Sequence, residues 1–331
     1  MKAVIYPFGP KEPIVQLAND FPELEWAVVS SVEELARRID DAAILVTSNR
    51  VCTPAYGEVL RRCARSLRWL SFGSSGIERG IAMGIPEGVT VTNSTGVKAT
   101  MVAEHAMTLL LALVRRLPEI GARQREHRYL REEINAKLTT LEGATVCVIG
   151  RGAIGREIVR KLKAFDAGVI AVSRTTSDPD GLHAVFPRAA IRQALAGADA
   201  VVICTSGDKT SQRLIGAAEH AAMKPNAFII NVARGNIIDQ TALTAALRGG
   251  RLAGAGLDVA EVEPLPPDDP LWDMSNVIVS PHIAGGGSTG YPMQKKLFAQ
   301  NLERFRSGKP LLNECRIAAH AGVGTRAGEV P

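Results

Sequence analysis

Three residues in the second half of the chain have the side-chain types that carbonyl chemistry needs, and each stands just after an apolar run. Arg234 follows Asn231-Val232-Ala233, Glu263 follows Asp258-Val259 within EVEPLP, and His282 follows Val277-Ile278-Val279-Ser280-Pro281. A histidine can hand a proton to a carbonyl oxygen. A carboxylate beside it can fix its tautomer and stabilise its charged form, and an arginine can clamp a substrate carboxylate. Taken singly, each has an ordinary structural reading as a surface ion pair, a solvent-facing Glu before proline, or a structural histidine. Converging on one crevice at strand ends, they would suit proton transfer to the carbonyl of a bound carboxylic acid.

The chain also has a place for a dinucleotide. Gly150-Arg151-Gly152-Ala153-Ile154-Gly155 reads GxGxxG, directly after the apolar run Val146 to Ile149 and ahead of an amphipathic stretch from Arg156 to Phe165. The first glycine permits a tight turn, the second lets a pyrophosphate approach the backbone, and the third lets helix and strand pack closely. The pyrophosphate would rest on the helix N-terminus, where free N–H groups and the dipole favour anions. The next strand, Val169 to Val172, ends in Ser173-Arg174-Thr175, where a fold that selects NAD places an acidic residue for the ribose 2′-hydroxyl. A guanidinium between two hydroxyls suits a 2′-phosphate instead. The expected cofactor is therefore NADP, with NAD as the alternative.

The elements that must position these groups follow one rhythm. Short β-branched runs (Val4 to Tyr6, Ala43 to Val46, Arg68 to Phe72, Val89 to Thr92, Thr145 to Ile149, Val169 to Val172, Ala200 to Cys204, Ala227 to Val232, Gly254 to Val259, Asn276 to Ser280) alternate with helical patterns. That alternation predicts parallel sheets with crossover helices. A long helix, Val97 to Leu117, separates two groups of strands. Ala284-Gly285-Gly286-Gly287-Ser288 reads as a flexible run before a helix from about Met293 to Arg306. The expectation is a nested α/β arrangement, with a substrate domain from residues 1–92 and 283–315, a dinucleotide-binding domain from residues 93–282, and a tail at 316–331.

Composition narrows the function classes. The 331 residues are 46% hydrophobic and 22% charged, as expected of a globular protein of about two domains. The formal charge of +5 comes from scattered basic residues, which read as a solvated surface and not as a nucleic-acid footprint. No apolar stretch has membrane-spanning length, and the N-terminus lacks the apolar core of a signal peptide, so a cytoplasmic location is expected. The five cysteines show no CxxC spacing, so neither a metal site nor a disulfide framework is expected.

The segments VCVIGRGAIGREI, NVARGNIIDQTAL, GLDVAEVEPLP and SPHIAGG resemble the signature segments of the D-2-hydroxyacid dehydrogenase family, and NSTGVKATMVAEHAM resembles its linker into the cofactor domain. The resemblance covers roughly residues 68 to 313. It implies two doubly wound parallel-sheet domains, a Rossmann cofactor domain nested within a flavodoxin-like substrate domain. It also implies Arg234, Glu263 and His282 as the catalytic residues, and backbone N–H groups of Gly73, Ser74, Ser75 and Gly76 offered to the substrate carboxylate. The expected cofactor contacts are completed by Val102, Thr205, Val232, Ala233 and Asp258, the last as a supporting residue near the nicotinamide. The implied reaction is reduction of a small 2-oxo acid, such as glyoxylate or hydroxypyruvate, to the D-2-hydroxy acid. A homodimer is implied as well, for which the apolar helix Val97 to Leu117 would suit a two-fold interface. The alternatives are a dinucleotide-sensing, co-repressor-like binding protein, or a family member acting on a bulkier acid or an inorganic oxyanion. One departure stands out: Thr205-Ser206-Gly207 replaces the Pro-Leu-Thr loop common in the family, which leaves cofactor contacts there open.

Overall fold

Apolar runs flanked by parallel neighbours become central strands, because both their faces are covered by helices. The computed structural model describes residues 1–176, 181–207, 209–287 and 290–315. By internal contacts the chain divides into two units, Met1–Val97 with the segment from Tyr291 onward, and Lys98–Gly290.

The first unit holds a parallel sheet of β1 (Lys2–Tyr6), β2 (Glu25–Val28), β3 (Ile44–Thr47), β4 (Trp69–Phe72) and β5 (Thr90–Thr92) in the order β2-β1-β3-β4-β5, the flavodoxin-like order. Side chains alternate between faces. Ala3 and Ile5 pack with Ile44, Val46 and Trp69, while Val4 and Tyr6 pack with Leu45, Leu70 and Phe72. The helix Gly290–Arg306 returns to this sheet, where Phe298 stacks on Trp69 with ring centroids 5.1 Å apart.

The second unit holds a parallel sheet of β6 (Thr145–Ile149), β7 (Gly168–Val172), β8 (Ala184–Phe186), β9 (Ala200–Ile203), β10 (Ala227–Asn231), β11 (Leu252–Leu257) and β12 (Val277–Val279). Its order, β12-β11-β10-β9-β6-β7-β8, is the Rossmann order extended by one strand, and it reverses between β6 and β9. In such sheets ligands bind beyond the carboxyl ends of the strands at that reversal. Val146 and Val148 belong to the core on one face, Cys147 and Ile149 to the core on the other.

Several expectations are corrected. β2 and β8 are additional strands; both are edge strands, short and only partly buried. The long helix spans Ala99–Val114 and does not reach Leu117. Arg116 turns left-handed at φ 55°, and a separate helix, Leu117–Arg125, carries Pro118 in its first turn, where the missing N–H costs nothing. Within Ala99–Val114, Val102, Ala106, Leu109, Leu110 and Leu113 are buried in their own unit's core. Gly254 and Gly256 on β11 admit that helix, since a Cβ on Gly256 would lie 2.9 Å from the Cβ of Leu109. Ser288 and the expected tail at 316–331 lie outside the described residues.

Candidate active site

The phosphate turn sits at the β6/β9 reversal, and its glycines answer three separate demands. Gly150 has φ 111°, and a Cβ there would come within 2.8 Å of the Thr205 backbone that follows β9. Gly155 lies so close to the turn that a Cβ would approach the Gly150 carbonyl oxygen to 1.9 Å. At Gly152, the N-cap of the helix Ala153–Lys163, nothing lies within 4 Å of where a Cβ would point. That open backbone at the start of an 11-residue helix fits a pyrophosphate. Arg151, Ala153 and Ile154 fill out the turn. Beneath it, the Cys204 thiol donates to the Gly150 carbonyl at 3.3 Å, and burial pushes the thiol up to about 12.

At the end of β7, Ser173 Oγ accepts the Thr175 N–H at 3.4 Å, and the side chains of Arg174 and Thr175 are exposed. Arg174 has no ion-pair partner among the described residues. Across the sheet, Val232 and Ala233 are buried at the end of β10, and Val102 is buried on the helix Ala99–Val114.

Arg234 is held by two features that sequence reasoning missed. The buried Asn231 accepts the Ala233 N–H and donates to the Arg234 carbonyl, both at 3.0 Å, which shapes the turn after β10. Gly207 lies beneath the Arg234 stem, where a Cβ would come 2.3 Å from Arg234 Cγ. The departure at residues 205–207 was the visible signal, though its meaning depended on this packing. Gly235 likewise admits the loop that carries Glu263, since a Cβ there would meet the Ala260 carbonyl oxygen at 1.8 Å.

His282 and Glu263 come together across that loop, with His282 Nδ1 2.8 Å from Glu263 Oε2. Glu263 Oε1 also accepts the Ala260 N–H at 3.2 Å, so the carboxylate is oriented from both sides. An ionised carboxylate only accepts, so Nδ1 carries the hydrogen and Nε2 is the ring nitrogen left for other partners. Nε2 has no partner among the described residues. His282 itself is left-handed, at φ 54°, a conformation a non-glycine residue holds only when its surroundings impose it.

The surroundings that impose it centre on Asp258, which is 1% exposed. Asp258 Oδ1 accepts the Ser280 hydroxyl at 2.7 Å and the Ile283 N–H at 2.9 Å, and Oδ2 accepts the Ala284 N–H at 2.9 Å. The Asp258 carbonyl takes the His282 N–H at 2.8 Å. The single Ser280 hydroxyl hydrogen is committed to Asp258, so His105 Nε2, 2.8 Å from Ser280 Oγ, must donate to it. A chain from His105 through Ser280 to Asp258 thus clamps the loop that presents His282. Neither His105 nor Ser280 was recognisable as part of the site from sequence.

In the first unit, the loop after β4 has the N–H of Gly73 already donated to the Thr47 carbonyl at 2.9 Å, so Gly73 has no N–H to offer. This corrects the expectation for that residue, because its turn continues the β3–β4 ladder. The N–H groups of Ser74, Ser75 and Gly76 have no acceptor among the described residues. Ser74 Oγ donates to the Gly76 carbonyl at 2.8 Å and Ser75 Oγ to the Ser94 carbonyl at 3.1 Å, which stiffens the loop around these donors. Successive free N–H groups of this kind suit an anion.

Comparisons with known proteins agree with this architecture. Residues 107–284 match the family model for the D-isomer specific 2-hydroxyacid dehydrogenase, NAD binding domain. The glyoxylate reductase of Thermococcus gammatolerans is 32% identical over 312 residues, 91% of each chain. The D-3-phosphoglycerate dehydrogenase of Archaeoglobus fulgidus is 30% identical over 316 residues, but this chain spans only 58% of that protein's length against 92% of its own. The crystal structure of an NADPH-dependent glyoxylate/hydroxypyruvate reductase from Sinorhizobium meliloti, in complex with NADP and sulfate, superimposes with a TM-score of 0.81 at 25% identity, covering 95% of this chain and 98% of that one. The glycine turn, the strand order and these matches place the chain in the D-isomer specific 2-hydroxyacid dehydrogenase family.

Proposed function

We propose that this protein reduces a small 2-oxo acid, such as glyoxylate or hydroxypyruvate, to the D-2-hydroxy acid, and prefers NADPH to NADH. The observation that carries the reading is the 2.8 Å contact of His282 Nδ1 with Glu263, which leaves Nε2 as the proton-transferring atom. The Gly150–Gly155 turn, Ser173, Arg174, Thr175, Thr205, Val232 and Ala233 would hold the dinucleotide. A reduced nicotinamide, when bound, supplies the hydride that reaches the substrate's carbonyl carbon.

The chain's own residues do the rest. His282, as the imidazolium, donates its Nε2 proton to the carbonyl oxygen as negative charge develops there, and Glu263 stabilises the charged ring. Arg234 binds the substrate carboxylate and polarises the carbonyl. In the first unit, the N–H groups of Ser74, Ser75 and Gly76 are donors that suit a carboxylate. Asp258 acts on the 280–284 loop and is neither acid nor base.

Arg174 supports the NADPH preference, because its guanidinium offers charge-assisted hydrogen bonds to a 2′-phosphate where a carboxylate would repel one. A homodimer belongs to the same proposal, with Leu117, Ile120 and Tyr129, which are 54%, 38% and 93% exposed, as apolar surface for a second copy to cover. A monomer mass in sedimentation would remove that part. The test of the function is a panel of 2-oxo acids with each nicotinamide cofactor, read by loss of the reduced nicotinamide's absorbance. Turnover of glyoxylate or hydroxypyruvate with a preference for NADPH is expected. Cofactor binding without turnover of any 2-oxo acid would favour a dinucleotide sensor.

A further inference from the structure

The β7–β8 ladder sets a second arginine beside Arg174. Val172 pairs with Phe186 in parallel register, and the Ser173 N–H donates to the Phe186 carbonyl at 3.0 Å. Arg174 is the second residue past Val172, and Arg188 is the second past Phe186. Pro187, between Phe186 and Arg188, is extended at φ −68° and ψ 158°, and the short 3-10 turn Arg188–Ala190 follows it. Both guanidinium-bearing residues thus stand past the carboxyl ends of neighbouring strands, on the side of the sheet edge where the dinucleotide's adenosine end is expected.

The Arg188 side chain turns along that edge. Its Nη1 donates to Thr210 Oγ1 at 2.5 Å, and Thr210 lies in the segment that follows β9. β6 and β7 lie between β8 and β9 in the sheet, so this hydrogen bond spans the carboxyl ends of the two strands that carry the glycine turn and Ser173-Arg174-Thr175. Arg188 is half-buried there, and among the described residues neither it nor Arg174 pairs with a carboxylate. Two unpaired cations on adjacent strand ends repel each other, and a dianion between them removes that cost. A phosphate monoester has the charge and the acceptor oxygens to take donors from both.

We infer that Arg188 is a second guanidinium for the adenosine 2′-phosphate of NADPH, acting together with Arg174. The inference rests on the NADPH reading above and deepens it, since one exposed arginine would give a looser and more salt-sensitive grip than two converging ones.

The test is calorimetric and needs no turnover: titration of the protein with 2′,5′-ADP and with 5′-AMP, for the unmutated chain and for Arg174→Gln, Arg188→Gln and Arg188→Lys. The unmutated protein should bind 2′,5′-ADP at least about tenfold more tightly than 5′-AMP, the scale of one charge-assisted hydrogen bond. Arg188→Gln should cut that ratio by about tenfold with little change in 5′-AMP affinity, and Arg188→Lys should restore part of it. Equal weakening of both nucleotides by Arg188→Gln would show that Arg188 only ties down the Thr210 segment, and would overturn the inference. So would an unchanged ratio in Arg188→Gln alongside a lost one in Arg174→Gln. If Arg188→Gln melts early, Arg188→Lys and Arg174→Gln carry the comparison, and a Lys variant with no loss of ratio and no change with salt would count against a direct contact. Failure of the unmutated protein to discriminate the two nucleotides would instead remove the NADPH reading itself.

Discussion

Ser280 Oγ donates to the buried Asp258 Oδ1 at 2.7 Å, and that bond ties the carboxylate to the loop that carries His282. Asp258 also receives the N–H groups of Ile283 and Ala284, so it holds the residues on both sides of His282. Asp258→Asn would turn an amide donor toward one of these donors, leaving buried groups unpaired. The expected cost is about 1–3 kcal/mol of stability, with a loss of kcat that exceeds any change in cofactor affinity. Ser280→Ala should show the same kcat pattern more mildly. Denaturant unfolding and steady-state kinetics on both variants check this, and an unaltered kcat in each would show that the loop holds its shape without Asp258.

Glu263→Gln keeps a side chain of the same shape beside His282 but removes the charge that stabilises the imidazolium. We expect kcat to fall by about ten- to a hundredfold, less than removal of His282 costs, with KM for the cofactor nearly constant. A kcat equal to that of the unmutated protein would mean that the 2.8 Å contact orients nothing that matters to turnover.

Gly207 has no Cβ to displace Arg234, and the contact that a Cβ would make is with the Arg234 stem at Cγ, which cannot swing clear as a side-chain tip could. Gly207→Ala should therefore weaken the 2-oxo acid, raising its KM by about tenfold while leaving nicotinamide binding much less affected. Kinetics with the acid and the cofactor varied in turn would separate the two effects. Equal loss for both would place the damage in the loop as a whole.

The core strands were legible because their chemistry is local. Val146 to Ile149 and Ala227 to Ile230 are continuous apolar runs buried on both faces, whereas Glu25–Val28 and Ala184–Phe186 are short strands at sheet edges and only partly buried. The glycine turn was legible for a similar reason, since Gly150 and Gly155 meet demands set within a single βα unit. His105, Ser280 and Asn231 were not. His105 and Ser280 are 175 residues apart, and only the packing of the helix Ala99–Val114 against the sheet brings them together. The Gly73 N–H shows the converse: family likeness offers it to a ligand, but the ladder with Thr47 has already taken it.

His220 is 2% exposed, and neither ring nitrogen has a partner among the described residues. Burial lowers its pKa below the usual histidine value, and the nearby Glu219 and Asp239 offset this only in part. The folded state therefore holds the ring neutral, while the unfolded chain takes up a proton at about pH 6.5. Stability should be full above that pH and should fall as the pH drops toward the lower folded-state value. Thermal melting of the unmutated protein and of His220→Leu between about pH 7.5 and about pH 5 should show a steeper acid loss in the former. Identical slopes would mean that His220 is not a site of proton linkage.

In the proposed reduction of a 2-oxo acid, His282 gives up the proton. The most direct measurement is single-turnover reduction of glyoxylate by preformed NADPH complexes of the unmutated protein and of His282→Ala, with cofactor affinity determined separately. A rate lower by about 10² to 10⁴ in the variant and nearly equal NADPH affinity are expected. A variant that reduces glyoxylate at close to the original rate would contradict that role of His282.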